Sequence, residues 1–227
     1  MMRLDKYLSE AGAATRRELK SIIRAGRVTV NGETVKSPEQ KIGEGAEVKL
    51  DGRPVTLRGT VVLMLHKPAG YVTSTEDPRD RTVMELLPAE YRDLFPVGRL
   101  DKDTEGLLLL TNDGPLCHRL TSPRQQVEKE YYAETEGTVD ASDVEAFAAG
   151  IVLRDGTRCL PAELRAGDGG CYVVVREGKY HQVRRMLASR GKPVTYLRRI
   201  REGELRLGTL EIGKWRPVTP EEMGNLL

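Results

Sequence analysis

The chain is predicted to be α+β: a small unit of two helices and a short sheet, then a larger domain on a mixed, mainly antiparallel sheet. Three observations lead there. Strand-like segments outnumber helical ones across the 227 residues, and the helices do not alternate with them as a doubly wound fold requires. The first 50 residues carry their own helix and hairpin signals. Residues 61–227 are numerous enough for a substantial core.

In the first unit (1–50), Leu4, Leu8 and Ala11 fall at i, i+4 and i+7, a short amphipathic helix ending near Gly12. TRRELKSIIRAG follows. Thr15 and Glu18 have the spacing of a reciprocal capping box, Leu19, Ile22 and Ile23 share a face, and Gly26 stands at the C-terminal end. The opposite face displays Arg16, Arg17, Lys20 and Arg24, with Arg27 just beyond. Asn31-Gly32 predicts a tight hairpin turn, and Val48 and Leu50 mark a further strand. A core this small makes the unit marginal on its own. Residues 51–60 are read as a linker, since they hold Gly and Pro and no long apolar pattern.

In the remainder, VVLMLHKP reads as a strand ended by Pro68, and LLLLTNDG as a buried strand reaching a turn at 112–114. YYAETEG, GCYVVVREG and LRLGTLEIG supply further strands. SDVEAFAAG is a helix, with a capping box expected at Ser142 and Glu145. KYHQVRRMLASRG is another, with Val183, Met186 and Leu187 inward, and TPEEMGNLL begins with Thr219 as its cap.

With 31% charged and 39% hydrophobic residues, the composition fits a folded protein and argues against disorder. Net charge is only +2, but its distribution is uneven. Residues 1–36 carry eight Lys or Arg against four Asp or Glu, and 176–206 carry ten against three. Two basic blocks suggest two polyanion-facing surfaces, with solvated faces as the plain alternative. The three cysteines lie far apart and form no CxxC pair, which suits a reducing compartment. No apolar run approaches membrane-spanning length, and charges interrupt the N-terminal stretch where a signal core would sit. A cytoplasmic location is the expectation.

The segment GRLDKDTEGLLLLTNDG (98–114) raises the question of chemistry. Asp101 and Asp103 form a D-x-D that could take magnesium, although Arg99 and Lys102 compete for the carboxylates. No phosphate loop, GxGxxG or GxSxG is present, and His66, His118 and His181 lack zinc-site spacing. A lone carboxylate beside an arginine and an apolar strand can also act as a nucleophile if a cation keeps it ionised. Elementary chemistry does not join it to the basic segment KYHQVRRM.

The segment resembles the central motif of pseudouridine synthases, in the branch of the small-subunit ribosomal enzyme and its large-subunit relatives. HKPAGYVTS (66–74) resembles the family's opening motif, EKEYYAE (128–134) its tyrosine segment and EGKYHQVRRML (177–187) its basic motif. Residues 3–32 are similar to the S4 RNA-binding module. The resemblance implies an S4 domain followed by a catalytic domain that turns uridine into pseudouridine within RNA. It implies Asp101 as nucleophile, Tyr131 stacking on the target base, Arg184 paired with Asp101, and Arg99 supporting the loop. RNA contacts are expected from Arg3, Lys6, Arg16, Arg17, Lys20, Arg24, Arg27, Lys179 and Arg185. No cofactor and no metal are implied. The four leucines 107–110 are expected to wall the pocket in part. The expected partner is structured ribosomal RNA, met by a monomer. The opening RLDKYL favours the uridine numbered 516 in 16S rRNA. A 23S rRNA site, or an inert RNA-binding or ribosome-assembly protein, are the alternatives.

Overall fold

The computed structural model describes residues 1–57 and 59–226. Arg58 of the expected linker, and Leu227 at the end of the expected catalytic domain, lie outside the described residues. The chain divides into two compact units, Met1–Val61 and Val62–Leu227.

The first unit contains β1 (Met2–Arg3), α1 (Leu4–Glu10), α2 (Arg16–Arg24), β2 (Val28–Val30), β3 (Glu33–Val35), β4 (Lys41–Ile42), β5 (Val48–Leu50) and β6 (Arg53–Val55). The Thr15–Glu18 capping box forms as expected, with the Glu18 amide 3.4 Å from Thr15 Oγ1 and the Thr15 amide donating to Glu18. Asn31 and Gly32 both take positive φ, the hairpin geometry that matches strand twist. The strands run β3-β2-β5-β6, and β1 pairs separately with β4. Leu4, Leu8, Leu19, Ile23, Val28 and Val48 close the core between helices and sheet. Part of the segment read as a linker is sheet. Residues 53–55 pair with β5 and so complete the sheet, because Val55 places a β-branched side chain against that core.

The second unit contains β7 (Val62–Lys67), β8 (Phe95–Val97), β9 (Glu105–Thr111), α3 (Gly114–Thr121), β10 (Lys129–Thr135), α4 (Ala141–Ala149), β11 (Glu163–Gly167), β12 (Gly170–Val175), α5 (Gln182–Ser189), β13 (Val194–Glu202), β14 (Leu205–Arg206), β15 (Trp215–Pro217) and α6 (Pro220–Gly224). The main sheet runs β11-β12-β10-β13-β9-β7-β15, with β8 on β9 and β14 on β13. Among the described strands of this sheet, only β13 and β9 pair in parallel, so the sheet is mixed and mainly antiparallel. At that seam Gly106 lies against Arg199 with φ 110°, and a Cβ there would overlap the Arg199 backbone.

Three expectations change in detail. The helix at 141–149 is capped by Asp140 and Asp143, not Ser142 and Glu145. The Asp140 carboxylate reaches the Ser142 and Asp143 amides, and it sits on extended backbone as a cap must. The strand expected over 205–213 shrinks to Leu205–Arg206. Leu107–Leu110 are all fully buried core residues, and none of them lines the cavity that holds Asp101. The central strand β13 is the main omission, since its arginines made it read as a basic block. No described helix is long and apolar enough to cross a membrane.

Candidate active site

Two of the sequence motifs meet through hydrogen bonds. The Asp101 loop lies between β8 and β9, and the segment after β7 holds it. Thr73 Oγ1 donates to the Leu100 carbonyl at 2.7 Å and accepts from the Leu100 amide at 3.1 Å. The Gly70 amide donates to the Lys102 carbonyl at 2.7 Å. Lys67 ends an apolar strand with its side chain fully buried. Its ammonium donates to the carbonyls of Pro68 (3.1 Å), Asp101 (3.0 Å), Lys102 (3.3 Å) and Thr104 (2.8 Å). Burial pulls the Lys67 pKa down to about 8, while Asp103, Asp101 and Glu105 oppose the fall.

The loop turns Asp101 into a cavity of about 350 Å³ that Tyr131 also lines. Its apolar surface comes from Leu100, Val175, Val183 and Leu197. Tyr131 and Tyr132 point to opposite faces of β10, as alternation requires. Tyr131 packs against the core, whereas the Tyr132 ring lies near Tyr172 and Tyr196. Burial pushes the Tyr131 phenol up, and the nearby Arg199 opposes that shift.

Arg199 is the cross-strand partner of Tyr131. It is fully buried, donates from Nε to the Leu107 carbonyl at 2.8 Å, and lies 3.2 Å from Glu202. That contact is an ion pair off hydrogen-bond geometry, since Arg199 Nη2 and both Glu202 oxygens lack a well-formed hydrogen bond. Lys129 lies 3.8 Å from the same carboxylate. Burial opposes the Arg199 charge, but Glu202 and Tyr131 outweigh it and hold its pKa above the ordinary value. A charged cluster therefore sits behind Tyr131. Neither Arg199 nor Glu202 was singled out from sequence, where they look like any other members of the basic block. Lys67 did carry a signal: a cation closing an apolar strand just before proline.

The expected Arg184–Asp101 pair is absent. Arg184 Nη2 lies 3.0 Å from Asp103 Oδ2 and also approaches the Asp103 carbonyl, while Nη1 approaches the Val194 carbonyl. Asp101 instead faces His181, whose Nε2 lies 3.4 Å from Oδ1. The reason is geometric: His181 adopts positive φ immediately before α5, which aims its ring at the loop, and Arg184 follows further along the helix. Arg99 lines the cavity but is exposed, and among the described residues it makes no hydrogen bond or ion pair that would support the loop; Lys67 and Thr73 do that work.

The candidate RNA-binding residues divide. Arg16, Arg17, Lys20 and Arg24 are exposed on α2, where no ion pair within 4 Å engages them among the described residues. Arg3 pairs with Asp5, Lys6 with Glu10 and Arg27 with Asp51. Lys179 is held by Glu177 and the Arg158 carbonyl, and Arg185 by Asp155. These last two tie α5 and the turn before it to the segment around Asp155 and Arg158. Among the described residues, no cluster of three or more His, Cys, Asp or Glu side chains is placed to hold a metal ion.

Residues 61–189 match the RNA pseudouridylate synthase family, and residues 2–48 match the S4 domain. The chain is 41% identical to an uncharacterized RNA pseudouridine synthase of Bacillus subtilis, covering 98% of this chain and 97% of that protein. It is 42% identical to the ribosomal small subunit pseudouridine synthase A of Vibrio cholerae, covering 99% of each. A crystal structure of a pseudouridylate synthase aligns over all of both chains, with 36% identity and a TM-score of 0.72. With two family motifs laced together around one cavity and kinship along its whole length, the chain belongs to the RNA pseudouridine synthases that carry an N-terminal S4 domain and is closely related to ribosomal small subunit pseudouridine synthase A.

Proposed function

We propose that this pseudouridine synthase acts on 16S rRNA at the uridine numbered 516, with Asp101 as its nucleophile. The observation that carries the site assignment is the convergence of Asp101 and Tyr131 on one apolar-walled cavity. The substrate reading rests on similarity to small-subunit enzymes over the whole chain.

The reaction is an isomerisation. The N1–C1′ bond of uridine breaks, the uracil turns while held, and C5 bonds to C1′. C5 then gives up its proton while N1 ends protonated, so nothing is added or lost. Asp101 assists departure of the base from C1′, either by attack or by a glycal route. Tyr131 offers its ring to the uracil. Leu100, Val183 and Leu197 exclude water and keep the detached base from escaping. Arg184 holds Asp103 and so steadies the shoulder of the loop. The exposed arginines of α2 grip RNA phosphates, which sets affinity and register but not base identity.

Two measurements test this. Asp101→Asn should abolish tritium release from 5-tritiated uridine in RNA while leaving RNA binding intact. Wild-type turnover in that variant would remove Asp101 from the chemistry. Deleting the gene in its host and mapping pseudouridines should erase one 16S site. Loss of a 23S site instead would overturn the substrate and leave the mechanism standing.

A further inference from the structure

We propose that Tyr180 forms a second base-stacking subsite, which takes an unpaired nucleobase flanking the target uridine. The proposal rests on the RNA-modifying role above and deepens it.

Tyr180 is 75% exposed. Exposure alone means little, but this ring is also held in place. It stacks on His181 with centroids 3.9 Å apart and planes 18° from parallel. The turn beneath it is pinned. The Lys179 amide donates to Gln182 Oε1 at 3.0 Å, and Gln182 Nε2 donates to Glu177 Oε1 at 2.7 Å. Arg185 Nη1 donates to the Tyr180 carbonyl at 3.3 Å. His181 adopts φ 47°, a conformation that non-glycine residues rarely take and that persists where surroundings enforce it. An aromatic ring on a pinned turn offers area with little conformational entropy left to lose.

The position supplies the ligand. Tyr180 lines the cavity that holds Asp101 and Tyr131. Since His181 covers one face of the ring, the exposure falls on the other face and the edge. His181 Nε2 is 3.4 Å from Asp101, so a base on the open face would sit one ring beyond the carboxylate's neighbour. Tyr131 is already assigned to the target uracil. Extracting a uridine from its stack leaves the adjacent bases without a stacking partner, and a fixed open ring at the cavity mouth provides one. Such stacking tolerates any base, because every base has a π-face.

The test uses the full chain and a 16S rRNA fragment containing the target, with 2-aminopurine on the 5′ or the 3′ side of it. Wild-type enzyme should quench the probe at one of the two positions. Tyr180→Ala should abolish that quench and raise KM about 10-fold, the scale of one lost base–aromatic stack, with kcat little changed. Tyr180→Phe and Tyr180→Trp should restore both. An unchanged KM and quench in Tyr180→Ala would overturn the subsite. So would a Phe variant as defective as Ala, which would indicate a hydroxyl contact. A fall in kcat at constant KM would also overturn it and make Tyr180 a support for His181. If wild type turns over only 23S rRNA, the 16S reading fails. The same variants on a 23S fragment then judge the subsite separately.

Discussion

Replacing Lys67 with Met removes the cation that ties together the loop carrying Asp101. Its ammonium has three protons and faces four carbonyls, three of them at 3.1 Å or closer. Keeping it charged while buried has a cost. The fall from 10.5 to about 8 corresponds to about 3 kcal/mol at 1.36 kcal/mol per pKa unit. The Met variant recovers that amount but leaves the Pro68 and Thr104 carbonyls without a donor, at about 2 kcal/mol each, or about 4 in all, whereas the Asp101 carbonyl still accepts from the Thr104 amide at 3.1 Å and the Lys102 carbonyl from the Gly70 amide at 2.7 Å. The net destabilisation is about 1 kcal/mol. Urea unfolding can be followed by the single tryptophan, Trp215, which lies in the catalytic unit. Turnover should fall with it, since the Asp101 and Thr104 carbonyls lose their tether. The pH dependence has a definite sign. The unfolded chain binds the Lys67 proton more tightly than the folded one. Wild-type stability relative to Lys67→Met should therefore rise between about pH 8 and 10.5 and be flat below that window. Over the same window wild-type turnover should decline, as a neutral amine has only two protons for four carbonyls. An unmoved urea midpoint with full turnover in the Met variant would refute the clamp. A stability difference constant across the window would refute the charge assignment.

Because Arg184 pairs with Asp103 at 3.0 Å, turnover losses in Arg184→Met and Asp103→Asn should not add in the double variant. Additive losses, with Arg184→Met far more damaging, would indicate that Arg184 serves Asp101 in the RNA-bound enzyme. Charge reversal at Arg16, Arg17 and Arg24 should weaken RNA binding and flatten its salt dependence, the logarithmic slope falling by roughly 0.7 to 0.9 for each phosphate no longer neutralised. An unchanged slope in filter binding across salt would show that this face of α2 is only solvated surface.

Local features were legible in the chain because neighbours in sequence create them. The Thr15–Glu18 box and the Asn31-Gly32 turn depend on residues at most three positions apart, and both form as read. The motif around Asp101 likewise marked the loop that reaches the cavity. Patterning also announced an α+β chain, since apolar periodicity sets which elements form. Side-chain partnership was another matter. Arg184 meets Asp103 and His181 meets Asp101 because of how α5 begins, and positive φ at a histidine cannot be read from the motif. Arg199 becomes a buried neighbour of Tyr131 only through the pairing of β13 with β10 and β9, across about seventy to ninety residues of chain. In sequence it is one of ten cations between 176 and 206. Burial separates it from the others: strand register decides which charge leaves water, and a charge out of water must find an opposite charge or a set of hydrogen-bond partners, Glu202 and the Leu107 carbonyl for Arg199.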